Sequence, residues 1–169
     1  MAALFHRASR LSKGRAGAAR LAVPVFHASR KSPAMSTPLD LSSLPFAHLL
    51  GIEIVEAGPE LVVAKLEVRK ALCTIPDILH GGAIMSFADT VGAVATVMNL
   101  SAGATTTTVE SKTNFLAPIP LGDVATATCE PFHKGGRLMV WQTRITRGDG
   151  RLCAVVTQSQ MVLQPKKEG

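Results

Sequence analysis

The sequence predicts an α+β fold in which an antiparallel sheet of about six strands wraps around one long central helix. Three observations lead to this prediction. A helix-length segment from Gly82 to Asn99 is apolar around its whole circumference. Two short strand-like segments precede it and four longer ones follow, all bounded by turn residues. So apolar a helix must be covered, and only a sheet formed by these strands can cover it.

The central helix is predicted from the spacing of its apolar residues. They recur at the i, i+3, i+4, i+7 positions that mark one helix face, at Ile84, Phe87, Ala88, Val91, Val94, Ala95 and Met98. The opposite face is small and nearly as apolar, with Met85, Asp89, Gly92, Ala93 and Thr96. Because no Lys, Arg or Glu occurs in the segment, we expect the helix to be buried on all sides.

Turn residues divide the remaining chain into strands. The predicted strands are 52–56, 61–69, 105–115, 124–133, 138–147 and 152–163, with a short helix at 44–50 opened by Ser42 and Ser43. Breaks at 118–122, 134–136 and 148–150 contain Pro or Gly. They predict that the last four strands follow one another as antiparallel hairpins.

Asp89 is the single charged residue of the predicted central helix. Burial removes water from a carboxylate, and this is costly unless hydrogen-bond donors or a cation replace it. A partly desolvated carboxylate is a candidate general base, because catalytic bases are tuned by such surroundings. A satisfied buried Asp with a purely structural role is the alternative.

His80, Gly81 and Gly82 begin the same helix. A helix start presents free backbone N–H groups and the positive end of the helix dipole, and small residues let a carbonyl oxygen approach them closely. Positions 80 and 89 lie about half a turn apart around the helix and roughly 13 Å apart along it. Two antiparallel copies at a two-fold axis would bring each helix start to the partner's Asp89, so we hypothesise a site shared between subunits.

His80-Gly81-Gly82 followed by Asp89 resembles the motif of acyl-CoA thioesterases of the hotdog fold, in particular the PaaI-like (phenylacetyl-CoA-type) subgroup. The run 107–118, which closes on Phe115-Leu116-Ala117-Pro118, is similar to the family's strand after the central helix. Gly122-Asp123 and Gly136-Arg137 stand where the family has turns. The resemblance covers roughly residues 46–162 and implies the hotdog architecture, in which the sheet wraps the helix.

The resemblance also implies roles for individual residues. The backbone N–H of Gly81, next to Gly82, would polarise the thioester carbonyl. Asp89 of the facing subunit would act as base or nucleophile, while His80 would shape the loop. Thr74 stands where many relatives have an amide side chain. A hydroxyl beside the base would come from Thr107 or Thr108, between which the sequence does not choose.

Basic residues near the predicted turn at 134–136 are candidates for binding coenzyme A. Arg137, with Lys134, could reach its phosphates, although most charges at such turns are only solvated. No redox cofactor or metal is expected. Cys73, Cys129 and Cys153 lack the CxxC spacing of metal sites, and their odd number and scatter do not suggest a disulfide framework.

The basic character of the chain comes from its beginning. Residues 1–34 hold seven of the eighteen Lys and Arg residues and no acidic residue, while residues 35–169 hold eleven basic and twelve acidic residues. Nucleic-acid binding is therefore not expected. We expect residues 1–34 to be a disordered leader, either a transit-like peptide or an over-extended start before Met35, and 35–169 to be the thioesterase domain. The protein would then be mitochondrial (matrix) in the first case and cytoplasmic in the second.

Hydrolysis of acyl-CoA to a carboxylic acid and free CoA is the predicted function. A hotdog hydratase or dehydratase is an alternative that needs a second acid–base group, for which only His80 is available. A non-catalytic acyl-CoA-binding domain is another, which the retained Asp89 disfavours. We expect no membrane span and a homodimer or a homotetramer built as a dimer of dimers, with acyl-chain specificity left open.

Overall fold

The computed structural model describes residue 41 and residues 44–165. The elements are α1 (Pro45–Leu50), β1 (Ile52–Ala57), β2 (Val62–Glu67), a 3-10 turn (Lys70–Leu72), β3 (Cys73–Thr74), β4 (Ile78–Leu79), α2 (Gly81–Val97), β5 (Thr105–Phe115), β6 (Val124–Lys134), β7 (Leu138–Thr146) and β8 (Leu152–Leu163). The predicted leader and the serines before α1 lie outside the described residues. Each predicted strand and helix appears within about two residues of its expected ends.

Six strands form one antiparallel sheet in the order β1-β2-β6-β7-β8-β5, with α2 against its inner face. This confirms the predicted α+β architecture. The prediction of a β5–β6 hairpin is wrong, because β5 pairs with β8 along its length and β6 pairs with β2 and β7. The segment 116–123 is too long for a tight turn. The carbonyl oxygen of Ile119 in this segment accepts a hydrogen bond from the Leu79 N–H of β4 at 2.8 Å. The chain thereby passes β4 before it enters the sheet beside β2.

The core lies between α2 and the inner face of the sheet. Phe87 on α2 and Trp141 and Ile145 on β7 are fully buried. Burial of one such apolar side chain stabilises the fold by about 1.5–3 kcal/mol. The Trp141 indole N–H donates to Thr96 Oγ1 at 2.8 Å, so the polar atom of the largest core side chain is satisfied inside the protein.

The second face of α2 is partly open in the single chain. Met85 is 41% and Val97 54% exposed, and Asp89 between them is half-buried. The prediction that the helix is buried on all sides is therefore wrong for one chain, because the sheet curves around one side of α2 only. We call this the open stripe of α2, formed by Gly82, Met85, Ser86, Asp89, Ala93 and Val97.

A small hairpin of β3 and β4 precedes α2 and was not predicted, because strands of two residues leave no alternation to detect. It turns at Asp77, which has a positive φ of 62°. The N–H of His80 donates to Leu72 O at 2.9 Å, and this bond helps to place the start of α2. Within the described residues no helix combines the length and hydropathy needed to cross a bilayer.

Candidate active site

Asp89 is held by two side chains from the sheet. Thr108 Oγ1 on β5 donates to Asp89 Oδ1 at 2.8 Å, and Gln158 Nε2 on β8 donates to the same oxygen at 2.8 Å. Among the described residues, Asp89 Oδ2 accepts no hydrogen bond. One carboxylate oxygen is thus fixed by the protein, whereas the other is available for water or substrate.

Strand register decides which hydroxyl meets Asp89. Thr108 lies opposite the buried Gln160, on the face of the sheet that carries α2, although Thr108 itself is exposed in the single chain; Thr107 lies opposite the exposed Met161. Because successive side chains of a strand alternate between faces, Thr107 points to the outer face. The structure therefore brings Thr108, and not Thr107, to Asp89. A bulge after Thr108 shifts the register at Val109.

Sequence reasoning missed two buried glutamines on β8. Gln158 is 1% and Gln160 0% exposed. Gln160 Nε2 donates to Thr108 Oγ1 at 2.8 Å, so both amides surround the threonine that holds Asp89. The detectable signal was their place in the alternation of β8, on the same face as the core residues Ala154 and Val156.

Gly92, one turn after Asp89, makes room for Gln158. A Cβ at position 92 would lie 2.5 Å from Gln158 Oε1 and 2.9 Å from Cδ, closer than real Cβ atoms approach. Any other residue would have to displace the amide. The glycine therefore serves a close approach between helix and strand rather than a turn.

The N-terminus of α2 is capped by its own histidine. The Gly82 N–H donates to His80 Nδ1 at 2.8 Å, so the imidazole caps the start of α2. Among the described residues, the Gly81 N–H has no acceptor, as expected for a first-turn N–H. The Phe115 ring lies beside Gly81, 3.2 Å from the position that a Cβ would take. The start of the helix thus offers a free donor beside an aromatic ring.

An apolar groove of about 300 Å³ adjoins the helix start. It is lined by Phe46, Leu50, Ala71, Leu72, Cys73, His80, Gly82, Ala83 and Ser86. None of these lining residues is Asp, Glu, Lys or Arg. A larger hollow of about 740 Å³ lies at the outer face of β1 and β2, where Glu53, Lys65, Glu67 and Arg69 give it charges of both signs.

The remaining predicted residues lie apart from Asp89. Thr74 is exposed on the small hairpin, and Arg137 is exposed at the β6–β7 turn. Lys134 at the same turn is engaged in an ion pair with Glu60. In the part of the chain that the structure describes, no cluster of His, Cys, Asp and Glu could hold a metal ion.

Clear pKa shifts occur outside this site. Burial raises the pKa of the Cys129 thiol to about 11. At the β7–β8 turn, hydrogen bonds from the Arg147 guanidinium and the Arg151 N–H lower the pKa of Asp149 to about 2. These groups belong to the structure of the sheet and its turns.

Several known proteins with similar sequences are named esterases or thioesterases. A model of the thioesterase superfamily matches residues 77–154. Rv1847 of Mycobacterium tuberculosis, an esterase by name, is 32% identical over 136 residues, which are 79% of this chain and 94% of the relative. The proofreading thioesterase EntH of Cronobacter turicensis is 28% identical and is matched over 82% of its length, with 68% of this chain covered.

Solved structures give the same result. The crystal structure of thioesterase HI1161 from Haemophilus influenzae superposes with a TM-score of 0.67 and 29% identity, covering 70% of this chain and 82% of that one. PaaI of E. coli, from the phenylacetic acid degradation operon, has the same fold, with a TM-score of 0.66, 24% identity and coverage of 72% and 86%. The chain belongs to the thioesterase superfamily, with the hotdog fold, and is a thioester hydrolase.

Proposed function

We propose that this protein hydrolyses acyl-CoA thioesters, with Asp89 as the general base or nucleophile and the Gly81 N–H as the donor to the thioester carbonyl oxygen. The observation that carries the proposal is the half-buried Asp89 carboxylate, held at Oδ1 by Thr108 and Gln158 with Oδ2 left open. A carboxylate fixed in this way at an open helix face is suited to proton transfer.

As a base, Asp89 takes a proton from water while the water oxygen attacks the thioester carbonyl carbon. Negative charge then develops on the carbonyl oxygen, where a preorganised backbone N–H stabilises it. Collapse of the tetrahedral intermediate breaks the C–S bond. The carboxylic acid leaves with the new oxygen, and the CoA thiolate receives the proton that water gave up.

We propose further that each site is built from two chains. Asp89 and Gly81 are eight residues apart on one helix, so they are separated by about 12 Å along its axis. The open stripe of α2 exposes Met85 and Val97, and β5 is an edge strand of eleven residues. A second copy that pairs along β5 would cover both features and bring its own Gly81 towards Asp89.

The acyl group would occupy the apolar groove at the start of α2. The pantetheine arm of coenzyme A carries amides and the nucleotide carries phosphates. Phe46, Leu50 and Leu72 in the groove can make only apolar contacts, so they suit the acyl group better. Its volume is at the lower end of the range for ligand pockets, which favours short, medium or aryl acyl groups over long chains. Arg137 remains our candidate for contact with the CoA phosphates, and Thr74 for a polar contact with substrate.

The test is an assay of thiol release from phenylacetyl-, hydroxyphenylacetyl-, short-chain and long-chain acyl-CoAs. Asp89→Asn keeps the shape of the side chain and should abolish release, while the folded state and the oligomer are retained. Asp149→Asn, at the exposed β7–β8 turn, is the matched control and should act like wild type. Wild-type turnover that survives Asp89→Asn would refute the role of this carboxylate.

A further inference from the structure

We propose that Gln158 and Gln160 are positioning residues that set the orientation of Asp89, so that Oδ2 is the oxygen that meets water. This inference rests on the proposed function, because it assigns a role in a reaction carried out by Asp89. Both side chains are buried between α2 and the sheet, and Gln158 contacts Asp89, a member of the open stripe, from the buried side.

The contacts of Gln158 define which way its amide points. Its Nε2 lies 2.8 Å from Asp89 Oδ1, 3.3 Å from the backbone oxygen of Asp89 and 3.2 Å from Thr108 Oγ1. A carboxylate oxygen and a carbonyl oxygen only accept hydrogen bonds, so the side facing them must be the NH₂ group. Gln158 therefore donates hydrogen bonds to both the side chain and the backbone of Asp89.

The carboxylate also decides which group donates and which accepts in the other hydrogen bonds of this network. Thr108 has one hydroxyl proton and gives it to Asp89 Oδ1, so its oxygen must accept from its neighbours. Gln160 Nε2 supplies that bond at 2.8 Å, and Gln160 Oε1 lies 2.9 Å from Thr106 Oγ1. Two bonds, from Thr108 and Gln158, end on Asp89 Oδ1, and the bond from Gln160 supports Thr108 from behind. Rotation of the Asp89 side chain would therefore break both bonds to Oδ1.

One polar atom in this network has no structural partner. Gln158 Oε1 is buried against Gly92 and, within the described residues, accepts no hydrogen bond. Native proteins rarely leave such an atom unsatisfied, and where they do the arrangement calls for an explanation. The Gln158 amide is therefore satisfied on its NH₂ side, which faces Asp89, and not on its oxygen side.

The test is steady-state kinetics of Gln158→Met, which keeps the length of the side chain and removes its donors. We expect kcat to fall on the order of 10- to 100-fold, as for a reacting group misplaced by about 1 Å, while KM changes less than about twofold. Gln142→Met on the outer face of β7 is the matched control and should leave kcat unchanged. Should Gln158→Met fail to fold, Gln160→Met asks the same question from the Thr108 side.

A second measurement separates positioning from simple packing. Gly92→Ala should displace Gln158 and lower kcat in the wild-type background, but should have little further effect on a Gln158→Ala enzyme. If Gly92→Ala lowered kcat by the same factor in the wild-type and in the Gln158→Ala background, the inference would be wrong. The inference would also be wrong if Gln158→Met had wild-type kcat while Asp89→Asn was inactive. That result would leave the proposed function intact. Full activity in Asp89→Asn itself would instead remove the proposed function.

Discussion

At the scale of single residues, the site depends on which side chains face α2. Thr107 and Thr108 are chemically identical neighbours, yet only Thr108 reaches Asp89, because a strand sends alternate side chains to opposite faces. The sequence narrows the choice to two hydroxyls. The bulge after Thr108 and the pairing with Gln160 decide between them, and both depend on contacts with a strand about fifty residues away.

This pair of threonines gives a matched experiment. Thr108→Val should lower kcat about tenfold to a hundredfold, since a hydrogen bond to a charged group contributes about 1.5–3 kcal/mol. Thr107→Val makes the same chemical change on the outer face and should leave kcat near wild type. The measurement is kcat of both variants on one acyl-CoA substrate. An equal loss of kcat in both variants, or no loss in either, would contradict the assignment of Thr108.

At the scale of elements, α2 carries both groups of the proposed reaction centre. Its first turn offers the Gly81 N–H, next to the Gly82 N–H that His80 caps, and its third turn offers Asp89. The apolar periodicity predicted the helix and its buried face. It could not predict the open stripe, because small apolar residues are compatible both with a core and with an interface.

The cap of α2 can be tested by stability. His80→Ala removes the acceptor for the Gly82 N–H and should lower the free energy of unfolding by about 1 kcal/mol, the usual cost of losing an N-cap. Asn at position 80 is a favoured cap and should restore most of this loss. Chemical denaturation of wild type, His80→Ala and His80→Asn would measure the difference. Equal destabilisation by both variants would show that His80 contributes by something other than capping.

At the scale of the whole molecule, the single chain leaves two surfaces that a second copy could cover. They are the open stripe of α2 and the free edge of β5. Sequence alone predicted nearly all strands, because turn residues bound them and their residues alternate. It paired β5 wrongly, since pairing of β5 with β8 depends on contacts far apart in the chain rather than on the local segment that follows β5.

The proposal that each site is shared between two chains predicts that activity depends on assembly. Val97→Glu places a charge on the open stripe, and we expect this variant to be a folded monomer with little or no thioesterase activity. Val55→Glu, at a similarly exposed position on β1, should leave both the oligomeric state and the activity unchanged. Light scattering after size-exclusion chromatography, combined with the thiol-release assay, checks both variants. A fully active monomer would show that one chain holds a complete site.

Gly92 also limits how this sequence can vary. A glycine in a helix interior costs about 1 kcal/mol relative to alanine, so alanine would be favoured there if the helix alone were concerned. The alanine methyl, however, would occupy the space of the Gln158 amide. Positions 92 and 158 should therefore covary among homologues: lineages that keep glutamine on β8 keep glycine on α2, and those with a bulkier residue on α2 carry a smaller one on β8.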